Sequence, residues 1–82
     1  MQMRQKRTSL EIKEEILNNL INGNEKTFFH LSQLCNTGTI TIRDNCEELL
    51  LHNYVKIEKR GNRRLFSFVK ITHKGRNFLK IL

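Results

Sequence analysis

Apolar residues recur along this chain with a helical period up to residue 53, with a period of two from Tyr54 to about Val69, and in a last helical stretch after Thr72. Leu10, Ile12, Ile16, Leu17, Leu20 and Ile21 are spaced three or four apart, which predicts a helix over residues 9–22. Thr8 and Glu11 match a capping box at its start, and Asn22-Gly23 closes it. The apolar positions cover about half of the helix circumference, more than one neighbour needs, so the helix is expected at the centre of the core or against a second subunit as well. Phe28, Phe29, Leu31, Leu34 and Cys35 predict a short second helix, capped by Thr27 and ending near Asn36. Thr37-Gly38 then makes a turn, and Thr39 is the expected cap of a third helix from Ile40 to about His52. At about 100° per residue, Ile42, Cys46, Leu49 and Leu50 form its core stripe, with Ile40, Arg43, Asp44, Glu47 and Leu51 on the opposite side.

From Tyr54 the two apolar-polar alternating runs flank Gly61-Asn62, the signal of a tight hairpin. A two-residue turn there sets Arg60 opposite Arg63, Lys59 opposite Arg64, Ile57 opposite Phe66 and Val55 opposite Phe68. Each like-charge pair weakens the ribbon by a few tenths of a kcal/mol, so a hairpin that tolerates them expects an anion. The alternation loses phase after Val69, which predicts a bulge or strand end before Ile71. Thr72 caps a last helix whose Phe78, Leu79, Ile81 and Leu82 are expected against the first helix, with Gly75 in the first turn, where a small residue costs least. The fold class is therefore mainly α with a small β-hairpin, in the order helix-helix-helix-hairpin-helix.

Eighty-two residues allow one core, since a chain of this size buries only about 60% of its unfolded surface. Residues 1–7 read as a disordered basic arm and 8–82 as the domain. The net charge of +7 is uneven. Residues 1–53 hold 6 basic and 7 acidic side chains, giving −1, and residues 54–82 hold 9 basic and 1 acidic, giving +8. That field favours a polyanion, either nucleic acid or an anionic membrane surface. No apolar run approaches the ~20 residues of a membrane span and no apolar signal-peptide core follows the N-terminus, so a cytoplasmic location is expected. Cys35 and Cys46 are the only cysteines and lack metal-knuckle spacing, so reduced core thiols are expected, with a disulfide or redox role as the alternative. His30, His52 and His73 are far apart, and Glu14-Glu15 and Glu47-Glu48 diverge as helix neighbours. No Gly-rich phosphate loop exists. A non-enzyme with no cofactor, metal or small-molecule ligand is expected.

Ile71-Thr72-His73-Lys74-Gly75-Arg76-Asn77-Phe78-Leu79 resembles the I-T-x-K-G-x-x-F-L ending of many small winged-helix regulators. Leu49-Leu50-Leu51-His52-Asn53-Tyr54-Val55 is similar to the L-L-x-x-G-L-I that closes their recognition helix, with Asn53 where the family often has Gly. Over residues 8–82 the chain resembles the small archaeal winged helix-turn-helix DNA-binding proteins of the transcription-regulator type. The resemblance implies a positioning helix from Phe28 to Asn36 and a recognition helix over 39–52 in the major groove of double-stranded DNA. It also implies a basic wing over 55–71 on the phosphate backbone. Carried over by position, Thr39, Ile40, Thr41, Arg43 and Asp44 face the groove, and Lys59, Arg60, Asn62, Arg63 and Arg64 are wing contacts.

Arg43 is the one recognition-helix side chain able to bridge guanine O6 and N7; its alternative is an ion pair with Glu47. Ile40 and the threonine methyls suit thymine methyls, and Thr39 suits a phosphate. Asp44, Glu47 and Glu48 oppose phosphates. The wing supplies affinity that falls with salt at about −0.9 per phosphate neutralised. Three readings follow: a sequence-selective regulator dimerising through helix 1 and the C-terminal helix, a non-specific architectural DNA binder, and a protein-interaction module using acidic helix 3 and Leu51.

Overall fold

In a computed structural model, residues 7–61 and 67–82 form four helices and three short strands. These are α1 (Ser9–Leu20), β1 (Lys26–Thr27), α2 (Phe28–Leu34), α3 (Thr39–Leu51), β2 (Val55–Lys59), β3 (Ser67–Ile71) and α4 (His73–Ile81). The helix-turn-helix α2–α3 followed by a hairpin and a final helix is the winged helix-turn-helix order expected from the sequence.

The helices start where local capping chemistry is strongest. The Thr8 hydroxyl accepts the Glu11 N–H at 3.1 Å while the Glu11 carboxylate accepts the Thr8 N–H at 2.9 Å, a complete capping box. Thr27 accepts the His30 N–H at 3.1 Å to open α2. Asn36 (φ 51°) and Asn53 (φ 62°) take left-handed backbone conformations just beyond α2 and α3. The start of α3 differs from expectation: Gly38 is its N-cap and Thr39 its first helical residue, because the Ile42 N–H already bonds to the Gly38 carbonyl at 3.1 Å.

α1 is the central strut. Its Ile16, Leu17 and Leu20 are fully buried, and α2, α3, β3 and α4 all pack on it. The α3 core stripe is Ile42, Asn45, Cys46 and Leu49. Leu50, expected within it, is 40% exposed and turned toward the hairpin, and a polar residue, Asn45, takes a buried place instead.

The sheet has the order β1-β3-β2, both pairings antiparallel. β1, only two residues long, was too short for any periodicity to announce it. The β2–β3 register pairs Val55 with Ile71, Ile57 with Val69 and Lys59 with Ser67. This is three residues from the register of a turn centred on Gly61-Asn62, so Val55 does not face Phe68 and Lys59 does not face Arg64. An odd shift exchanges the two faces of a strand. Ser67, Val69 and Ile71 are therefore buried with Val55, while Phe68 and Lys70 lie on the other face. Burying two β-branched residues against α1 is worth roughly 3–6 kcal/mol, far more than the preference for a tight turn. The alternation runs unbroken to Ile71, with no bulge within β3. The expected pairings of Arg63, Arg64 and Phe66 lie outside the described residues.

Thr72 joins β3 to α4. Its hydroxyl accepts the Gly75 N–H at 3.0 Å and donates to the Asn53 carbonyl at 2.6 Å, and its N–H donates to the Tyr54 carbonyl at 3.0 Å. Gly75 is required here rather than tolerated: a Cβ would collide with the Tyr54 carbonyl oxygen and stand 2.9 Å from Ile71 Cγ1. Phe78 then stacks on Tyr54 with ring centroids 4.4 Å apart. Phe78 and Leu79 reach the core, but Ile81, expected against α1, is 81% exposed, and Leu82 is exposed as well.

Gly75→Ala is expected to lose about 2 kcal/mol, because collision with a backbone oxygen outweighs the ~1 kcal/mol that alanine gains in a helix. Thermal unfolding would show this as a Tm lower by about 8–16 °C. Cys35 and Cys46 are buried free thiols. Burial pushes Cys46 up to about 12 and Cys35 upward too, so both are expected to resist alkylation at pH 8 in the native state and to react at the midpoint of urea unfolding, as read by mass spectrometry.

Candidate nucleic-acid interface

α3 turns its core stripe to α1 and leaves Thr39, Ile40, Arg43 and Asp44 exposed, with Thr41 half-buried. Arg43 Nη2 lies 3.5 Å from Asp44 Oδ1 in a solvent-exposed pair, and not against Glu47 as the alternative reading required. Such an exposed contact is worth at most about 1 kcal/mol and releases the guanidinium readily.

Between α3 and the hairpin runs a groove of about 440 Å³, with Arg43, Glu47 and Leu50 on one wall and Ile57, Lys59 and Ser67 on the other. Phe28 of α2 lines it as well. The helix residue and the wing residue that sequence separated by sixteen positions thus line one groove. The odd register brings this about, since it puts small Ser67 rather than an aromatic side chain at the hairpin's inner edge.

Arg60, expected as a wing contact, is engaged within the chain. It bonds to Glu58 at 2.8 Å and to Glu25 at 2.5 Å, and its guanidinium lies 4.5 Å from the Phe68 ring centroid. These bonds hold Arg60 more firmly charged and hold the Glu58 carboxyl below its ordinary range. Two carboxylates nevertheless offset its field. Lys59 is exposed, and Asn62, Arg63 and Arg64 lie outside the described residues. A like-charge pair that sequence reading missed sits elsewhere: Lys56 faces Lys70 directly across β2 and β3, both exposed. Only the true register shows it.

A polar network behind α3 was missed as well. Lys13 of α1 pairs with Glu48 at 2.7 Å and donates to Ser9 at 2.6 Å and Asn45 at 3.0 Å. Ser9 donates to Asn45 Oδ1 at 2.7 Å, and Asn45 Nδ2 donates to the Thr41 carbonyl at 2.8 Å. Asn45, three residues after Ile42 and four before Leu49, had the spacing of a core position; its polarity concealed it. Arg7 bonds to Glu15 at 2.5 Å and to the Asn36 carbonyl, in the turn between α2 and α3, at 3.0 Å.

Among the described residues no cluster of three or more His, Cys, Asp or Glu is placed to hold a metal, and no helix is long and apolar enough to cross a membrane.

No protein-family model matches the chain, and no curated protein matches it. Solved structures do. The transcriptional regulator BldR from Sulfolobus solfataricus superposes with a TM-score of 0.75 at 20% identity, over 85% of this chain and 50% of that one. Staphylococcus aureus MarR, solved with salicylate and kanamycin, gives 0.71 at 19% identity, over 84% of this chain and 46% of that one. Sso10a-2, a DNA-binding protein from Sulfolobus solfataricus, gives 0.76 at 16% identity, over 92% and 74%. At these identities the likeness establishes the winged-helix fold. The chain spans about half the length of the first two.

Three exposed carboxyls are held below their ordinary value near 4.5: Glu11 by hydrogen bonds at Thr8, Glu48 by Lys13 and Glu58 by Arg60. The unfolded state therefore binds more protons in the window just below 4.5, so stability should rise with pH there. It is expected fully above that value and lost as pH falls through the folded values. Urea unfolding at pH 6, 4 and 3 checks this; Glu11→Gln should be less stable at pH 6 and show a shallower acid slope.

Proposed function

We propose that this chain is a double-stranded-DNA-binding protein of the transcription-regulator type, a binding module rather than an enzyme, acting where the cell keeps its DNA. α3 enters the major groove by its first turns, with Thr39, Ile40, Thr41, Arg43 and Asp44 facing base edges and backbone. The hairpin, through Lys59, Arg60, Asn62, Arg63 and Arg64, rests on adjacent phosphates. The observation that carries this reading is the shared groove, in which Arg43 and Lys59 present two cations from α3 and the wing to one surface. A guanidinium suits guanine and an ammonium suits a phosphate. The winged-helix likeness supports it, since BldR is described as a transcriptional regulator and Sso10a-2 as a DNA-binding protein.

The acidic residues of α3 favour a second reading, a non-specific architectural binder, because Asp44 and Glu47 stand among the groove-facing side chains. The two differ in discrimination. A site from a randomised-duplex selection should be preferred over random duplex by far more than tenfold, about 1.4 kcal/mol, if α3 reads sequence, and by less if the wing acts alone. A two-fold dimer would read two half-sites one helical turn apart. Exposed Leu10 in α1 and Ile21 at its end, with Ile81 and Leu82 at the end of α4, supply apolar surface for a second copy.

In a fluorescence-anisotropy titration, Lys59→Ala is expected to weaken binding to every duplex and reduce the salt slope by about 0.9. Arg43→Ala should weaken binding to the selected site alone, by about 10-fold to 100-fold, as for loss of one bidentate base contact. Absence of duplex binding by the wild type at low salt removes the proposal.

A further inference from the structure

We infer that the first turns of α1 form a polar clasp that positions α3, so that Lys13 and Asn45, neither of which touches DNA, set how well Arg43 reads it. The specificity part of this inference rests on the DNA-binding reading above; the positioning part stands on the free protein.

The apolar contacts of Ile42, Cys46 and Leu49 hold α3 against α1, but apolar burial is non-directional and permits small rotations and slides. The clasp is directional. The Lys13 ammonium has three donors and three oxygen partners: Ser9 Oγ, Asn45 Oδ1 and Glu48 Oε1. Two of these lie on α3 three residues apart, one turn of the same helix face. One cation bonded to two successive turns fixes both the rotation of α3 about its axis and its slide along α1. Asn45 is 6% exposed, and its amide spans from α1 to the Thr41 carbonyl on its own helix. The Lys13 side chain is 15% exposed. A rotation that broke these bonds would leave a buried amide and a largely buried ammonium without partners. Arg7 takes hold of the other side, bonding to the Asn36 carbonyl in the α2–α3 turn while Glu15 holds its guanidinium. α1 and the Arg7 just before its cap therefore hold both the turn and the helix that follows it.

The leverage is large. Helix Cα atoms lie about 2.3 Å from the axis, and an extended arginine adds roughly 6 Å, so a 10° rotation of α3 carries the Arg43 guanidinium about 1.5 Å. Hydrogen bonds do not survive displacements of that size. Lys59 is carried on β2 and not on α3, so the rotation leaves its contact in place.

Lys13→Met keeps the apolar stem and removes the ammonium; Glu48→Gln, at an exposed position, removes one anchor more gently. Residual dipolar couplings of the free protein are expected to show α3 reoriented relative to α1 by several degrees in Lys13→Met and by less in Glu48→Gln. Duplex titrations, run well below each variant's Tm, should show binding to the selected site weakened about tenfold in Lys13→Met. Binding to random duplex and the salt slope should stay within twofold of wild type. Lys13→Met combined with Arg43→Ala should bind the selected site no more weakly than Arg43→Ala alone, because Lys13 acts through Arg43. Unchanged couplings overturn the clasp, whatever happens to DNA. Changed couplings with equal losses on both duplexes, or with none, overturn its role in specificity. A wild type that binds no duplex overturns the DNA-binding reading and the specificity role together, and leaves the couplings to decide the clasp.

Discussion

Burial of Val69 and Ile71 beneath α1 is the constraint from which the distal half of the molecule follows. β3 is the middle strand, so its phase sets both partners: Lys26 and Thr27 pair on one edge, and Val55 to Lys59 on the other. With Val69 and Ile71 inward, Phe68 must lie on the opposite face, where Arg60 covers it. The strand also ends at a fixed point, so Thr72 falls beside the Asn53 and Tyr54 carbonyls and bonds to both. α4 then leaves at an angle that brings its first turn onto the Tyr54 backbone, and only a residue without a Cβ fits there.

This dependence explains which parts of the fold were legible in the sequence. Helix α1 was readable because a capping box, an apolar stripe and Asn22-Gly23 are all local signals. The ends of α2 near Asn36 and of α3 near His52 were readable for the same reason, and the Ile71–Leu79 motif located the entry into α4. Strand register is not local. Gly61 does take the positive φ (82°) that suggested a turn, but the β2–β3 register lies three residues from that of a two-residue turn at Gly61-Asn62. What decided the phase was contact with α1, some fifty residues earlier, which no pattern within the hairpin encodes. The same misphasing hid the Lys56–Lys70 pair and led to Phe66 and Phe68 as the inner face.

Misassigned helix positions share a different cause. Leu50 and Ile81 look like core residues by hydropathy, and Asn45 looks like surface. Leu50 points into the groove shared with the hairpin, and Asn45 is buried because Ser9, Lys13 and the Thr41 carbonyl satisfy its amide. A buried amide is stable only when its partners are present, and those partners come mainly from another helix. Periodicity identifies the faces of a helix but not which polar residue finds company in the core.

The electrostatics of α3 change once those partners are known. From sequence, Asp44, Glu47 and Glu48 formed an acidic trio set against phosphates. Glu48 is bonded to Lys13 and turned toward α1, and Asp44 lies beside Arg43, so Glu47 alone stands in the groove, across from Lys59. The wing changes in the opposite sense. Arg60, one of its cations by composition, is offset by Glu25 and Glu58. The contrast between an acidic α3 and a basic hairpin is therefore smaller in three dimensions than along the chain. Asp44 and Glu48 stay on the surface, but a neighbouring cation offsets each, which lowers the repulsion that α3 would exert on a polyanion, and two carboxylates likewise weaken the attraction that Arg60 would exert. Charge pairing within the fold therefore shifts the balance of the field from the wing toward α3.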